Sequence, residues 1–204
     1  YGMEGLTHFG LEDFALMRAL PHMTVVAPAD PLEASQIASI SENYPGPLYI
    51  RLGKNGDPSV HNNKPKIKIG EGMIIKEGKK VAIFAVGNMV LIARDVCDKL
   101  NHRGIRSTLI NMHTIKPLDK KLIHQIASTH DEAIFTVEEH YTEGGLGSAV
   151  AEVLAEGSYK GIFKRFGIER LGAHIGHADF LGNKYELSEN KLLNGILHIL
   201  RGAN

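Results

Sequence analysis

A histidine framed by glycines lies near the start of the sequence, in the run Gly5-Leu6-Thr7-His8-Phe9-Gly10. Histidine is the side chain best suited to exchange protons near neutral pH, and flanking glycines let the backbone approach a ligand closely. The residues that follow have helical spacing, so His8 is expected in a loop that leads into a helix. Ligands of α/β sheets bind at such loops. On local evidence two interpretations stay open: an active-site histidine, or a loop histidine without a function.

Three further groups contain residue types that could do chemistry. The run GGLGS at 144–148 is expected to open a helix whose free N–H groups could hold an anion, although a glycine turn needed for packing is the favoured alternative. His174 and His177, with Asp179, are metal-ligating types, but their spacing follows no zinc pattern. Cys97 lies on the apolar stripe of a predicted helix and is expected to be an inert core residue.

Composition excludes several classes of function. The 204 residues carry 23 Lys and Arg against 23 Asp and Glu, so no net charge attracts nucleic acid or an acidic membrane. The single cysteine excludes an internal disulfide and fits a reducing compartment. No apolar run reaches the roughly 20 residues needed to span a bilayer, and no signal peptide is recognisable. The sequence therefore predicts a cytoplasmic protein that binds neither nucleic acid nor membrane.

The elements that must position His8 begin with two helices and two strands. Apolar spacing predicts a helix over 10–20, and the β-branched run TVVAP predicts a buried strand over 24–28. Asp30 is a good N-cap for a helix that starts at Pro31 and runs to about Tyr44. The run PLYIRL predicts a second strand over 47–52.

A segment rich in Gly, Asn, Pro and Lys over 53–72 predicts an interdomain linker between regions 1–52 and 73–204. The second region opens with a predicted hairpin around Glu77-Gly78-Lys79. A helix over 89–103 is expected to stop at Gly104. The remaining predicted elements are strands at 105–112, 133–139 and within 163–171, and helices at 117–129, after 144–148, and at 188–200 with Ser188 as N-cap.

Strand and helix alternate along the chain, which predicts an α/β fold with largely parallel sheets covered by helices on both faces, in three αβα layers. Region 73–204 has a full complement of elements. Region 1–52 is too small to bury both faces of its own sheet, so it is expected to be the C-terminal half of a domain with an incomplete sheet.

Four stretches resemble the transketolase family, whose enzymes depend on thiamine diphosphate. Residues 4–34, EGLTHFGLEDFALMRALPHMTVVAPADPLEA, are similar to that family's GPTHQ…ED…ALMRALPNM…V…PAD landmark. GPLYIRLGKNG at 46–56 resembles the strand and turn that end its pyrimidine-binding domain. INMHTIKPLD at 110–119 and VEEHYTEGGLGSAVAEVLAE at 137–156 resemble successive landmarks of its C-terminal domain. The resemblance covers nearly the whole chain, in order, to about residue 157.

The resemblance implies a domain layout and a set of partners. Residues 1–52 would be the back half of a pyrimidine-binding domain and 73–204 the C-terminal domain. A pyrophosphate-binding domain or subunit, a second copy in a homodimer through both domains, and a sugar phosphate substrate are the expected partners. Thiamine diphosphate and Mg²⁺ would serve the complete enzyme, but their ligands are expected before Tyr1 and on a partner chain. We therefore expect this chain alone to hold neither and to be inactive.

The resemblance also assigns candidate site residues. His8 matches the family's Thr-His histidine, which lines the active site and contacts the sugar, and it is the predicted catalytic residue. Glu4 matches an acidic residue that reads a substrate hydroxyl. Arg51 and Lys54 match two basic positions, the second of which often holds an arginine that binds the substrate phosphate. Lysine keeps the charge but loses the bidentate fork, and a solvated strand end is the alternative for this pair.

Two departures from the pattern, Leu6 for Pro and Phe9 for Gln, make the pocket entrance more apolar and could indicate a different substrate. The predicted activity is transfer of a two-carbon ketol unit between sugars. Three alternatives stay open: a deoxyxylulose-phosphate synthase, a β subunit of a 2-oxoacid dehydrogenase, and a non-catalytic dimerisation module.

Overall fold

The structure of the protein, a computed structural model, describes residues 8–53, 58–172 and 174–202. The helices of this part are α1 (Asp13–Ala19), α2 (Pro31–Ser41), α3 (Met89–Asn101), α4 (Lys120–Thr129), α5 (Leu146–Glu156), α6 (Ala178–Lys184) and α7 (Glu189–Gly202). Its strands are β1 (Thr24–Val26), β2 (Leu48–Ile50), β3 (Met73–Lys76), β4 (Val81–Ala85), β5 (Ser107–Asn111), β6 (Thr114–Lys116), β7 (Ala133–Tyr141) and β8 (Ile162–Ile168). None of these helices is long and apolar enough to cross a membrane.

The larger sheet has five strands in the order β3-β5-β4-β7-β8, and every neighbouring pair except β3 and β5 is parallel. Alternate residues of β4 enter two different cores. Ile83 packs in a core with apolar residues of α3 and α7, whereas Phe84 packs in a core with α4 and α5. Helices therefore cover both faces, and the predicted three-layer α/β fold is confirmed.

The smaller sheet has three strands in the order β2-β1-β6. The pair β1–β2 is parallel, as a βαβ unit requires, while β6 lies antiparallel to β1. The third strand comes from the far side of the 53–72 segment, so the sequence-distant run Thr114–Lys116 completes the sheet of the N-terminal region. No separate strand is predicted for this run from the sequence, because three residues are too few to show a period.

Local signals placed several element ends correctly. The Asp30 carboxylate accepts a hydrogen bond from the Glu33 amide at 2.8 Å, and Pro31 is the first helical residue, as predicted. Gly104 follows α3 with φ of +80°, a conformation that glycine adopts without strain. Helix α2 ends at Ser41, three residues earlier than expected.

The predicted hairpin around Glu77-Gly78-Lys79 is wrong. Strand β3 pairs antiparallel with β5, and β4 lies between two parallel neighbours, β5 and β7. All five residues of β4 are buried, so the energetically favourable place for this apolar strand is the centre of the sheet. That placement takes up both edges of β4 and leaves the partly exposed β3 at the sheet edge.

The described part of the 53–72 segment packs against the rest of the protein. Val60 and Ile67 are 8% and 7% exposed. The Asp30 Oδ2 atom accepts hydrogen bonds from the amides of Val60 and His61, at 2.9 and 3.0 Å. The His61 Nε2 atom lies 2.6 Å from a carboxylate oxygen of Glu33, which is fully buried. These contacts fasten the segment to the start of α2.

Candidate functional site

The carboxyl ends of β4 and β7 form a crevice in the larger sheet. The chain leaves β4 towards α3 on one face and leaves β7 towards α5 on the other, so the two loops separate at this point. Ligands of open α/β sheets bind where such loops diverge. Asn88, the N-cap residue of α3 in the loop after β4, donates a hydrogen bond from Nδ2 to Glu139 Oε2 of β7 at 2.7 Å, and this pair spans the crevice.

Two adjoining cavities open from this crevice. One, of about 300 Å³, is lined by residues that include Phe9, Phe14, Arg51, Asn88 and Glu139. The other, of about 530 Å³, extends between α3, α6 and the start of α7, and it shares Phe9, Asn88 and Glu139 with the first. The N-terminal region therefore supplies one wall of the smaller cavity, and the C-terminal sheet supplies the opposite wall.

Arg51 is fixed in the smaller cavity by contacts on several sides. Its guanidinium carbon lies 4.7 Å from the ring centroid of Phe14, a cation–π contact. Its terminal nitrogens lie 3.6 Å from an Asp13 oxygen and 3.9 Å from Glu139 Oε2. The Arg51 side chain is 21% exposed, so it is largely enclosed by these contacts.

The carboxylate of Asp13 links Arg51 to β2. It accepts a hydrogen bond from the Tyr49 hydroxyl at 2.8 Å. Burial and this carboxylate raise the pKa of Tyr49 to about 12, so the phenol stays protonated and remains a donor. The start of α1 is thereby joined to the strand that carries Arg51.

The predicted catalytic residue, His8, is exposed and lies five residues before α1. Its neighbour Phe9 lines both cavities, and Arg51 lines the smaller one. The structure thus brings the His8 loop and Arg51 to the same crevice. The other two predicted site residues, Glu4 and Lys54, lie outside the described residues.

The glycine turn before α5 already holds a carboxylate. Glu138, a fully buried residue of β7, accepts hydrogen bonds from the amides of Leu146 and Gly147, each at 2.7 Å. Burial raises the pKa of Glu138 to about 7, against the opposing effect of these two amides. Since the protein's own side chain occupies the N–H groups, the anion-binding interpretation of this turn is wrong and the packing interpretation is correct.

His140 lies two residues further along β7 and is also fully buried. Its ring stacks on Phe14 with a centroid distance of 5.2 Å and an interplanar angle of 16°. Nε2 accepts a hydrogen bond from the Ala15 amide at 3.3 Å, and Nδ1 lies 2.7 Å from the carbonyl oxygen of Tyr141. Burial lowers the pKa of His140, which favours the neutral ring.

The remaining candidates form no site of their own in the described residues. Within residues 8–53, 58–172 and 174–202, no three His, Cys, Asp or Glu side chains form a group that could hold a metal ion. Cys97 is fully buried, and burial raises the pKa of its thiol to about 11, which agrees with the predicted inert core residue.

Sequence reasoning missed the polar cluster of Glu138, Glu139 and His140. The signal was present, since three consecutive polar residues follow the mainly apolar run AIFTV in β7. Buried polar groups need partners. Buried Glu138 and His140 find them in the glycine turn and in α1, and partly exposed Glu139 accepts a hydrogen bond from Asn88.

The larger sheet is mainly parallel, and the polar crevice at its carboxyl edge is faced by the glycine-bounded histidine loop. These features define an α/β protein with a ligand-binding crevice between two regions. Residues 70–191 match the family model for the C-terminal domain of transketolase, and residues 1–56 match that for its pyrimidine-binding domain. The chain belongs to the transketolase family, whose members are thiamine diphosphate enzymes.

Relatives and a solved structure agree with this assignment. A putative transketolase C-terminal section of Methanocaldococcus jannaschii is 32% identical over 98% of this chain and 63% of its own length. The 1-deoxy-D-xylulose-5-phosphate synthase of Caldanaerobacter subterraneus is 33% identical over 96% of this chain and 32% of its own length. The solved structure of a split gene transketolase, an inactive beta4 tetramer, superposes on this chain with a TM-score of 0.87 at 35% identity, covering 96% of this chain and 62% of that one. The chain therefore spans between about a third and two thirds of the length of these three proteins.

Proposed function

We propose that the chain is the C-terminal section of an enzyme that transfers a two-carbon ketol unit between sugar phosphates with thiamine diphosphate. The observation that carries this proposal is the shared cavity: the loop of His8 and the side chain of Arg51 meet at the carboxyl edge of the sheet. A family match at both regions of the chain supports it.

In this proposal His8 contacts the sugar substrate near the reacting carbon. An imidazole can donate a hydrogen bond to a hydroxyl or ketol oxygen and share a proton as charge develops there. His8 is exposed, and its neighbour Phe9 lines the crevice.

Arg51, Lys54 and Glu4 are the proposed substrate-binding residues. The guanidinium of Arg51 stacks on Phe14 and faces Asp13 and Glu139, so its orientation is preset before a substrate arrives. Lys54 is proposed to contact the substrate phosphate as a point charge. Glu4 is proposed to accept a hydrogen bond from a substrate hydroxyl.

The described residues do not provide a metal site of their own. Because both regions of the chain match the family, we propose that Mg²⁺ and thiamine diphosphate are held by a pyrophosphate-binding domain or subunit and by a partner chain. The described residues that bear on the reaction are those that orient the substrate beside the crevice.

The proposal extends to partners and cellular setting. We propose a homodimer through both regions, with a pyrophosphate-binding domain or subunit as a further partner, acting in the cytoplasm on pentose phosphates. The M. jannaschii relative is itself a C-terminal section, and the superposed structure is that of a split-gene protein, which supports a separate partner subunit.

A second candidate reaction is that of a 1-deoxy-D-xylulose-5-phosphate synthase. The observation that favours it is the 33% identity to such an enzyme over 96% of this chain. The two reactions differ in the donor, since the synthase takes a 2-oxoacid and the transketolase a ketose. The choice of donor therefore separates them.

The test uses the complete protein with its pyrophosphate-binding partner, thiamine diphosphate and Mg²⁺. Ketol transfer from a ketose phosphate to an aldose phosphate is expected, and product formed with pyruvate as the donor would favour the synthase. The substitution His8→Asn should lower kcat by about 10²- to 10⁴-fold, the range for a lost acid–base group. The 204-residue chain alone should show no transfer.

The matched control is His22→Asn, which removes an exposed histidine just after α1. It should leave kcat within about 2-fold of the wild type. An unaltered kcat in the His8→Asn enzyme would contradict the assigned role of His8. The absence of product with both donors would contradict the proposed function as a whole.

A further inference from the structure

We infer that His140, in the C-terminal region, is a positioning residue that sets the placement of α1 and of the His8 loop. This inference rests on the proposed role of His8. It gives the C-terminal region a part beyond lining the crevice: through His140, which is not among the residues that line the two cavities, that region holds the histidine loop of the N-terminal region in place.

Two consecutive residues at the end of β7 anchor residues 11–15, which include the first turn of α1. The Tyr141 amide donates a hydrogen bond to the carbonyl oxygen of Leu11 at 3.2 Å. The Ala15 amide donates to His140 Nε2 at 3.3 Å, and the His140 ring stacks on Phe14. The backbone of Tyr141 thus holds Leu11, and the ring of His140 holds both Phe14 and Ala15.

The hydrogen bond to Ala15 completes the N-terminus of α1. The first amides of a helix have no partner within the helix, and a side chain of the N-cap residue normally supplies one. Glu12, the N-cap of α1, makes no such bond, and its carboxylate instead accepts from the Leu11 amide at 3.1 Å. His140 takes over this role from another part of the chain.

The protonation state of His140 follows from its two contacts. The Ala15 amide can only donate, so Nε2 must accept and the ring proton lies on Nδ1. Nδ1 then donates to the Tyr141 carbonyl oxygen. Buried Glu138 lies 3.8 Å from Nδ1, which also favours this tautomer. Both ring nitrogens are therefore engaged, and the ring has a single favourable orientation beneath Phe14.

Close approach of α1 to the end of β7 depends on small residues and on a second clamp. Arg18 donates from Nη1 to the carbonyl oxygens of Gly144 and Gly145, at 2.5 and 3.1 Å. A Cβ at Gly144 would collide with Ala15. Arg18 fixes the end of α1 and His140 fixes its beginning, so the helix that follows the His8 loop has little freedom to shift.

Two substitutions separate the contacts of His140. His140→Gln retains an acceptor oxygen at about the position of Nε2, whereas His140→Phe retains a ring on Phe14 and removes the acceptor. In the complete enzyme we expect His140→Phe to lower kcat and kcat/KM equally, by about 10-fold, because a displaced catalytic group is felt in the transition state. His140→Gln should restore most of this loss.

The matched control is His130→Phe. His130 is also a buried histidine, but it bonds Thr108 at 2.7 Å, away from α1. It should lower stability while leaving kcat within about 2-fold. An equal loss of kcat in both Phe variants would reduce His140 to a general stability role and overturn the inference. So would a His140→Phe enzyme with wild-type kcat.

A measurement without turnover separates this inference from the proposed function. Amide hydrogen exchange of the complete protein should rise about 5-fold in peptides covering residues 8–17 of the His140→Phe variant, as expected for one lost hydrogen bond. The control should not change there. Unchanged exchange in both variants refutes the positioning role even if the enzyme transfers ketol units. Missing ketol transfer in the wild type, with raised exchange in the variant, refutes the proposed function alone.

Discussion

Replacing Gly144 with alanine should destabilise the protein more than the same change at Gly104, and the difference measures the contact between α1 and the C-terminal region. The two glycines have nearly equal φ angles, +81° and +80°. A left-handed conformation costs alanine roughly 1–2 kcal/mol at either site. A new Cβ meets nothing within 4 Å at Gly104, but at Gly144 it meets the Cα of Ala15 at 3.2 Å and the Ala15 Cβ closer still.

The cost of placing alanine in a left-handed conformation is the same at Gly104 and Gly144, so it cancels when the two variants are compared. The excess at Gly144 is then an overpacking cost, of about 1–3 kcal/mol. For a chain of this size each kcal/mol lowers the melting temperature by roughly 2–4 °C. Urea unfolding of the 204-residue chain gives the free energy of unfolding, and calorimetry gives the melting temperature.

The pair of substitutions Gly144→Ala and Ala15→Gly completes the test as a double-mutant cycle. Removing the Ala15 methyl group should be less harmful in the Gly144→Ala background than in the wild type, with a coupling energy of about 1 kcal/mol or more. Equal destabilisation at Gly104 and Gly144, or a coupling energy near zero, would refute the argument that α1 and the glycine turn are in forced contact.

Two further predictions concern buried ionisable groups. Burial raises the pKa of Glu138 to about 7, so the folded state binds the Glu138 proton more tightly than the unfolded chain does. The stability that Glu138 contributes is therefore present below about pH 4.5 and is lost as the pH rises to about 7. Buried histidines such as His113, whose pKa is lowered to about 4, change the free energy of unfolding in the opposite direction over that pH range. The quantity to measure is therefore the free energy of unfolding of the wild type minus that of Glu138→Gln. It should fall by about 3 kcal/mol between pH 4.5 and 7, and a pH-independent difference would contradict the assignment. The thiol of Cys97 should not react with a disulfide reagent at pH 8 in the folded chain and should react fully in urea, since its pKa is raised to about 11; rapid labelling of the native protein would show that the thiol is accessible.

The sequence predicts the alternation of elements well because each rests on a local rule. Asp30 before Pro31 fixes a helix start, and Gly104 fixes a helix stop, whatever the rest of the chain does. The pairing of strands is not local. The run around Gly78 has hairpin chemistry, yet the burial of β4 on both faces decides its neighbours. Helix α6 contains no buried residue, so it has no apolar stripe that a pattern could reveal.

The candidate site shows the same difference between local signals and contacts made only in the folded chain. His8 and Arg51 became candidates through the resemblance of their motifs to the family's, and they remain predictions. The roles of Glu138 and His140 could not be read from motifs, because these depend on partners such as Gly147 and Ala15 that only the folded chain brings to them. The sequence shows that a buried polar residue needs a partner, but it does not show which residue that partner is.

The position of β6 in the smaller sheet has a consequence for how this family can be rearranged in evolution. A fragment that ends within residues 58–72 would lack Thr114–Lys116 and would leave one hydrogen-bonding edge of the buried strand β1 unpaired. The two regions therefore share one structural element across the boundary that composition suggests. We expect them to be inherited and exchanged together, as a single heritable unit.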